Sequence, residues 1–177
     1  MTICLEEIWK GCLQQKRRSQ EQLYKHFYRS MMAVCFQYTS NEQDAVEVLN
    51  LAFYKVFTRG KSYDPSKGAL YTWIRKIVIR SCLDHIDSRQ HLLNSRPIEI
   101  DTEISIDADI LHKLNAEEII NLLRKLPPAT KTVFNLYVIE GYDHKEISEQ
   151  LNISPGTSRW HLCEAKRLLQ NWIKQTA

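Results

Sequence analysis

All ten glycines and prolines of this 177-residue chain fall between, or at the ends of, segments whose apolar residues recur at helical spacing. Gly11, Gly60, Gly68, Gly141 and Gly156, with Pro65, Pro97, Pro127, Pro128 and Pro155, punctuate the pattern instead of interrupting it. Nothing between them reads as a hairpin or a run of strands, so the chain is expected to be all-α. The clearest helix is expected to start at Ser40, where Ser40 and Gln43 have capping-box spacing, and to run through Ala45, Val48, Leu49, Ala52, Phe53, Val56 and Phe57. Similar stripes run through Leu23, Phe27, Met31, Val34 and Tyr38, and through Leu70, Trp73, Ile74, Ile77 and Val78. With a short helix near Leu5, Ile8 and Trp9, these make a first domain over residues 1–89.

The segment 90–113 differs in kind. Apolar residues alternate there with acids in "IEIDTEISID", but a lone strand has nothing to pair with, so an acidic flexible linker is expected. Helical spacing returns at Ala116, Ile119, Ile120, Leu122 and Leu123, then at Val133, Phe134, Tyr137 and Val138, opening a second domain over 114–177. Residues 1–89 hold 14 Lys/Arg against 9 Asp/Glu, the linker 2 against 5, and the second domain 8 against 7. A basic front half is compatible with a polyanionic partner and with an ordinary solvated surface alike.

In "GYDHKEISEQLNISPGTSRWHL", Asp143 and Glu146 have the spacing of N-cap and N3, and Tyr142 and Ile147 that of a hydrophobic staple. The helix they start is expected to end near Leu151, and Ser154 followed by Pro155 caps the next one. The result is a helix-turn-helix, a shape shared by DNA-binding and purely structural corners. On a helical wheel Ser158, Leu162, Ala165, Leu169, Trp172 and Ile173 form the core side of the second helix. Trp160 and Arg167 point away, flanked by Arg159, Cys163 and Glu164, where an indole can either pack on a neighbour or read a thymine methyl.

From "LPPATKTVFNLYVIEGYDHKEISEQLNISPGTSRWHLCEAKRLLQ" and from "EQLYKHFYRSMMAVCFQYTSNEQDAVEVLNLAFYKVF" with "YDPSKGALYTWIRKIVIRSCLDHI", the chain resembles an extracytoplasmic-function (ECF) sigma factor, a bacterial promoter-recognition subunit of the sigma-70 family. The resemblance implies that residues 1–89 bind core RNA polymerase and open the -10 element. It implies equally that residues 114–177 bind the -35 element. Polymerase contacts are then expected from Asp44, Glu47, Asn50, Phe53, Tyr54 and Lys55, with Asn50 and Leu51 departing from the Gln-Glu pair usual there. The -35 contacts are expected from Thr157, Ser158, Arg159, Trp160, His161, Lys166 and Arg167, Trp160 replacing a small polar residue.

Catching unpaired bases takes aromatic faces and phosphate-binding cations. Lys67, Tyr71, Trp73, Arg75, Lys76 and Arg80 offer both, although Trp73 shares the apolar stripe and Arg80 stands where the family often has Asn. The resemblance further implies an anti-sigma partner. The alternative is a helix-turn-helix activator or repressor that acts without being a polymerase subunit. No P-loop, HExxH, nucleophile elbow or dinucleotide fingerprint is present, so neither enzymatic activity, a small-molecule substrate, a metal nor a cofactor is expected. Five scattered cysteines without zinc spacing, no membrane-span run and an acidic N-terminus in place of a signal peptide lead to the expectation of a cytoplasmic protein with free thiols.

Overall fold

Gly11 sets the first corner of the chain. It lies one turn from the end of α1 (Leu5–Leu13), and a Cβ there would collide with Ser19 of α2 (Arg17–Tyr38), so only glycine lets the two helices approach this closely. The reversal between them puts Gln15 in the left-handed region (φ 58°). Its cost is offset by a Schellman pair, Lys16 N–H to Gly11 C=O at 3.0 Å and Gln15 N–H to Cys12 C=O at 3.0 Å. The computed structural model describes residues 4–89 and 116–176, and every regular element there is helical. The predicted linker 90–113 lies outside the described residues.

Two compact units emerge, Met1–Gln90 and His91–Ala177. In the first, α2 packs on α3 (Glu42–Thr58) and α4 (Leu70–Arg89), joined by single 3₁₀ turns at Gly60–Ser62 and Pro65–Lys67. The expected stripes supply the core: Leu23, Met31, Val34, Ala45, Val48, Leu49, Val56, Ile74 and Val78 are all at most 1% exposed. Burying each Leu, Ile, Val or Met contributes about 1.5–3 kcal/mol, so this stripe pattern holds the unit together.

One cap differs from expectation. The N-cap of α3 is Asn41, not Ser40: Asn41 Oδ1 accepts from Asp44 N–H at 2.8 Å, and Asn41 Nδ2 donates back to the Asp44 carboxylate at 3.0 Å. Asn caps as well as Ser, and here its amide answers the N3 side chain as well as the N3 backbone.

The second unit is built from α5 (Ala116–Lys125), α6 (Pro128–Phe134), α7 (His144–Leu151) and α8 (Pro155–Thr176). Pro128 opens α6 at N1, where its missing N–H costs nothing. After Phe134 the chain widens into a π turn, Asn135–Ile139, closed by Glu140 N–H to Asn135 C=O at 3.0 Å. The extra residue per turn shifts the helical phase. Val133 and Leu136 are fully buried, while Tyr137, Val138 and Ile139 are exposed, so the predicted stripe ends at Phe134 and not at Val138. Gly141, at φ 76°, then turns the chain toward α7.

Candidate nucleic-acid interface

The helix-turn-helix is specified locally at every joint. Asp143 caps α7 with both arms of a capping box, Glu146 N–H to Asp143 Oδ1 at 2.8 Å and Asp143 N–H to Glu146 Oε2 at 2.9 Å. The staple residue Ile147 is fully buried. Asn152 ends the helix in the left-handed conformation, φ 53°, a cost Asn tolerates better than most residues. Ser154 Oγ then accepts from Thr157 N–H at 3.0 Å to start α8.

The N-terminal turns of α8 divide into two faces. Thr157, Ser158 and His161 are turned inward, at 7%, 0% and 1% exposure, which corrects the expectation, drawn from the resemblance, that their side chains lie on the nucleic-acid face, and for Ser158 agrees with the core side of the wheel. Both α6 and α7 pack against α8, so the buried arc at this end is wider than one apolar stripe. His161 lies 3.1 Å by Nδ1 from Thr130 Oγ1 of α6, and Ser158 Oγ lies 2.9 Å from His144 Nδ1 of α7. These polar pairs stitch the three helices together. Burial pushes the protonation of His161 below the ordinary imidazole range.

Arg159 is exposed and Lys166 half-buried two turns further on, neither with an ion-pair partner among the described residues. Arg167 is exposed, but Glu164 holds it in a bidentate pair at 2.7 and 2.8 Å. The available cations are therefore Arg159 and Lys166. Trp160 lies between the two expectations: half-buried, edge-on to His161 at 4.8 Å, with its Nε1 covered and unpartnered.

In the first unit, Lys67, Tyr71 and Lys76 are exposed, as is Arg80, which pairs with Asp84 at 3.1 Å. Tyr71 accepts a hydrogen bond from Arg75 Nη1 at 3.3 Å, which holds the ring against the start of α4. Trp73 is instead half-buried in a knot with Trp9 at 5.7 Å and Tyr63 at 5.6 Å, a packing position as its stripe implied.

On α3, Glu47, Asn50 and Tyr54 are exposed, Tyr54 at 68%. Asp44 and Phe53 are buried, at 9% and 2%, and so leave the predicted outer face: Asp44 is folded into the Asn41 cap and approaches His85 Nε2 at 3.8 Å, and Phe53 packs edge-on to Tyr24 at 4.8 Å. Lys55 reaches across to Asp84 at 3.0 Å and to Ser81 at 3.1 Å. Leu51, half exposed, extends the outer face beside Tyr54.

One small helical unit carries a capped helix-turn-helix, and the other an exposed surface of cations and aromatic rings. Residues 23–91 match the family described as Sigma-70 region 2, and residues 116–169 that described as Sigma-70, region 4. The chain is 24% identical over 161 residues to the ECF RNA polymerase sigma factor SigE of Mycolicibacterium smegmatis, covering 88% of this chain. It spans only 62% of that relative's length, under two thirds. To the ECF RNA polymerase sigma-E factor of Haemophilus influenzae it is 19% identical over 167 residues, covering 86% of each.

Two solved structures share the fold. One is CnrH in complex with the cytosolic domain of CnrY, at TM-score 0.51 and 16% identity, covering 96% of this chain and 97% of that one. The other is the sigma factor RpoE with the anti-sigma factor NepR from Bartonella quintana, at TM-score 0.53 and 15% identity, covering 87% and 96%. The chain belongs to the sigma-70 family, in its ECF class. Among the described residues, no helix is long and apolar enough to cross a membrane.

Proposed function

We propose that this chain binds bacterial core RNA polymerase and directs promoter-specific initiation, acting in the cytoplasm as a non-enzymatic subunit. The observation that carries this is the presence on one chain of both sigma-70 regions, in order. A free-standing activator would need the second alone. In this reading the first unit, residues 1–89, docks polymerase through Glu47, Asn50, Leu51 and Tyr54 of α3, and meets the -10 element through Lys67, Tyr71, Lys76 and Arg80. The second unit, residues 114–177, presents Arg159, Trp160 and Lys166 to the -35 duplex. Residues 90–113 join the two.

An anti-sigma factor is the partner expected to hold the chain inactive, as NepR is bound to RpoE in the solved complex that shares this fold. The test is transcription from a genomic library by core polymerase with and without the chain, followed by mapping of start sites. New starts sharing two upstream elements are the expected result. Duplex binding by the chain alone, with no new starts in the presence of polymerase, would favour the activator instead.

A further inference from the structure

His144 was not among the residues singled out from the sequence, yet it is held at two points on the half-buried rim of the helix-turn-helix. Its ring lies nearly flat on Tyr137, with centroids 4.5 Å apart and planes 22° from parallel. Its Nδ1 lies 2.9 Å from Ser158 Oγ. One side is therefore held by the π turn and one edge by α8, and both contacts favour this orientation of the imidazole. The other nitrogen, Nε2, has no partner among the described residues and is not covered.

The proton positions follow from hydrogen-bond accounting. Ser158 is fully buried, and His144 Nδ1 is the one partner its hydroxyl has among the described residues. A buried O–H that accepted from Nδ1 would leave its own proton unsatisfied, at a cost of about 1–3 kcal/mol. Ser158 therefore donates to Nδ1, and the remaining ring proton sits on Nε2, facing out. The groups around the ring agree with a neutral imidazole. Burial, then the charges of Arg159 and Lys166, push its protonation down, and only Asp143 opposes them.

We propose that His144 is a backbone contact of the bound duplex, a neutral Nε2–H donor held in place for one phosphate oxygen, beside the cations Arg159 and Lys166. This rests on the -35 reading of the second unit. It differs from an ordinary basic contact in a measurable way. A neutral donor adds a hydrogen bond to the phosphate without releasing a counterion, whereas Arg159 or Lys166 releases about one each. A hydrogen bond to a charged group is worth roughly 1.5–3 kcal/mol, so its loss should be read as about a tenfold fall in affinity or more.

The test uses holoenzyme, the full chain with core polymerase, on a promoter mapped as above and on one with a scrambled upstream element. His144→Ala should lower affinity about tenfold for both duplexes while leaving the salt slope unchanged, because a phosphate contact carries no sequence information. His144→Gln, which keeps an N–H donor, should recover part of the loss. A scan of single methylphosphonates through the upstream element should find one phosphate whose neutralisation weakens wild type but adds nothing in His144→Ala, coupling that a merely unfolded variant would not show at a single position.

Affinity should stay flat between pH 7.5 and 8.5. A salt slope shallower by about one unit in His144→Ala, or a pH dependence in that window abolished by the variant, would overturn the neutral donor. Normal affinity in His144→Ala, or no coupled phosphate, would overturn the contact while leaving promoter recognition standing. Absence of any mapped start refutes the sigma reading itself, and the contact with it.

Discussion

Acid should loosen the second unit through His161. Its imidazole is 1% exposed, Nδ1 is taken by Thr130, and Nε2 is buried without a partner, so a second ring proton would place a charge in the core between α6 and α8. Burial is the main cause that lowers its protonation, and the carboxylate of Glu164 opposes it weakly because Arg167 already holds that carboxylate. The folded-state pKa is therefore depressed below the unfolded value of about 6.5. Stability from the neutral ring is present above that value and is lost as pH falls toward the folded-state pKa. In the window just below 6.5 the unfolded chain binds up to one more proton, a slope of about 1.4 kcal/mol per pH unit.

From pH 6.5 to 5.0 the loss is at most about 2 kcal/mol, against roughly 3–9 kcal/mol for a helical unit of about 60 residues. His144 acts with the same sign, but it is more exposed and solvent screens its share. The assay is amide exchange of α6 and α8 in the full chain across this range, which reads opening of that unit without the first. His161→Leu should remove most of the pH slope. An equal slope in wild type and His161→Leu would show that the imidazole is not the group that feels the burial.

Other expectations separate neighbours on one helix. Asp143→Ala removes the side-chain arm of the α7 capping box, leaving the backbone N–H of residue 143 to donate to Glu146, and should cost about 1 kcal/mol in denaturant melts. Phe53→Ala should cost about 3–5 kcal/mol of stability, whereas Tyr54→Ala, one residue on and 68% exposed, should change stability by less than about 0.5 kcal/mol yet weaken binding to core polymerase. Charge reversal at Glu47 should act on polymerase binding alone, whereas reversal at Asp44, buried off the outer face, should lower the melting temperature by removing the carboxylate to which Asn41 Nδ2 donates. Arg159→Ala should make the salt dependence of promoter binding shallower by about one unit, and Arg167→Ala, whose charge Glu164 already balances, should leave it nearly unchanged.

What the sequence revealed, and what it withheld, follow one physical division. Caps and stripes are local, so Asp143, Ser154, Pro155 and the core of α2, α3 and α4 were legible from spacing alone. The phase of a stripe is not local once the backbone departs from 3.6 residues per turn, and no residue type in "NLYVI" announces a π turn. The width of a buried arc is not local either, because it depends on how many partners a helix meets. On α8 a wheel drawn around Leu162 finds the core stripe, Ser158 included, and α7 meets that side at Ser158, but α6 lies against the same turns and takes His161 as well, which the wheel leaves outside the stripe. The resemblance of the recognition helix nevertheless nominated both for the duplex. Their burial is what prepares the exposed site: Ser158, withdrawn from the surface, orders the His144 ring, and His161, withdrawn beside it, supports the half-buried Trp160 edge-on. Residues that a sequence would nominate as contacts hold still the side chains proposed as contacts. For Trp160, a covered Nε1 without an acceptor implies that any base contact in this rotamer comes from the ring's carbon edge. Trp160→Phe should then keep promoter preference where Trp160→Ala loses it, and equal loss in both would show that the indole N–H turns outward to meet the duplex.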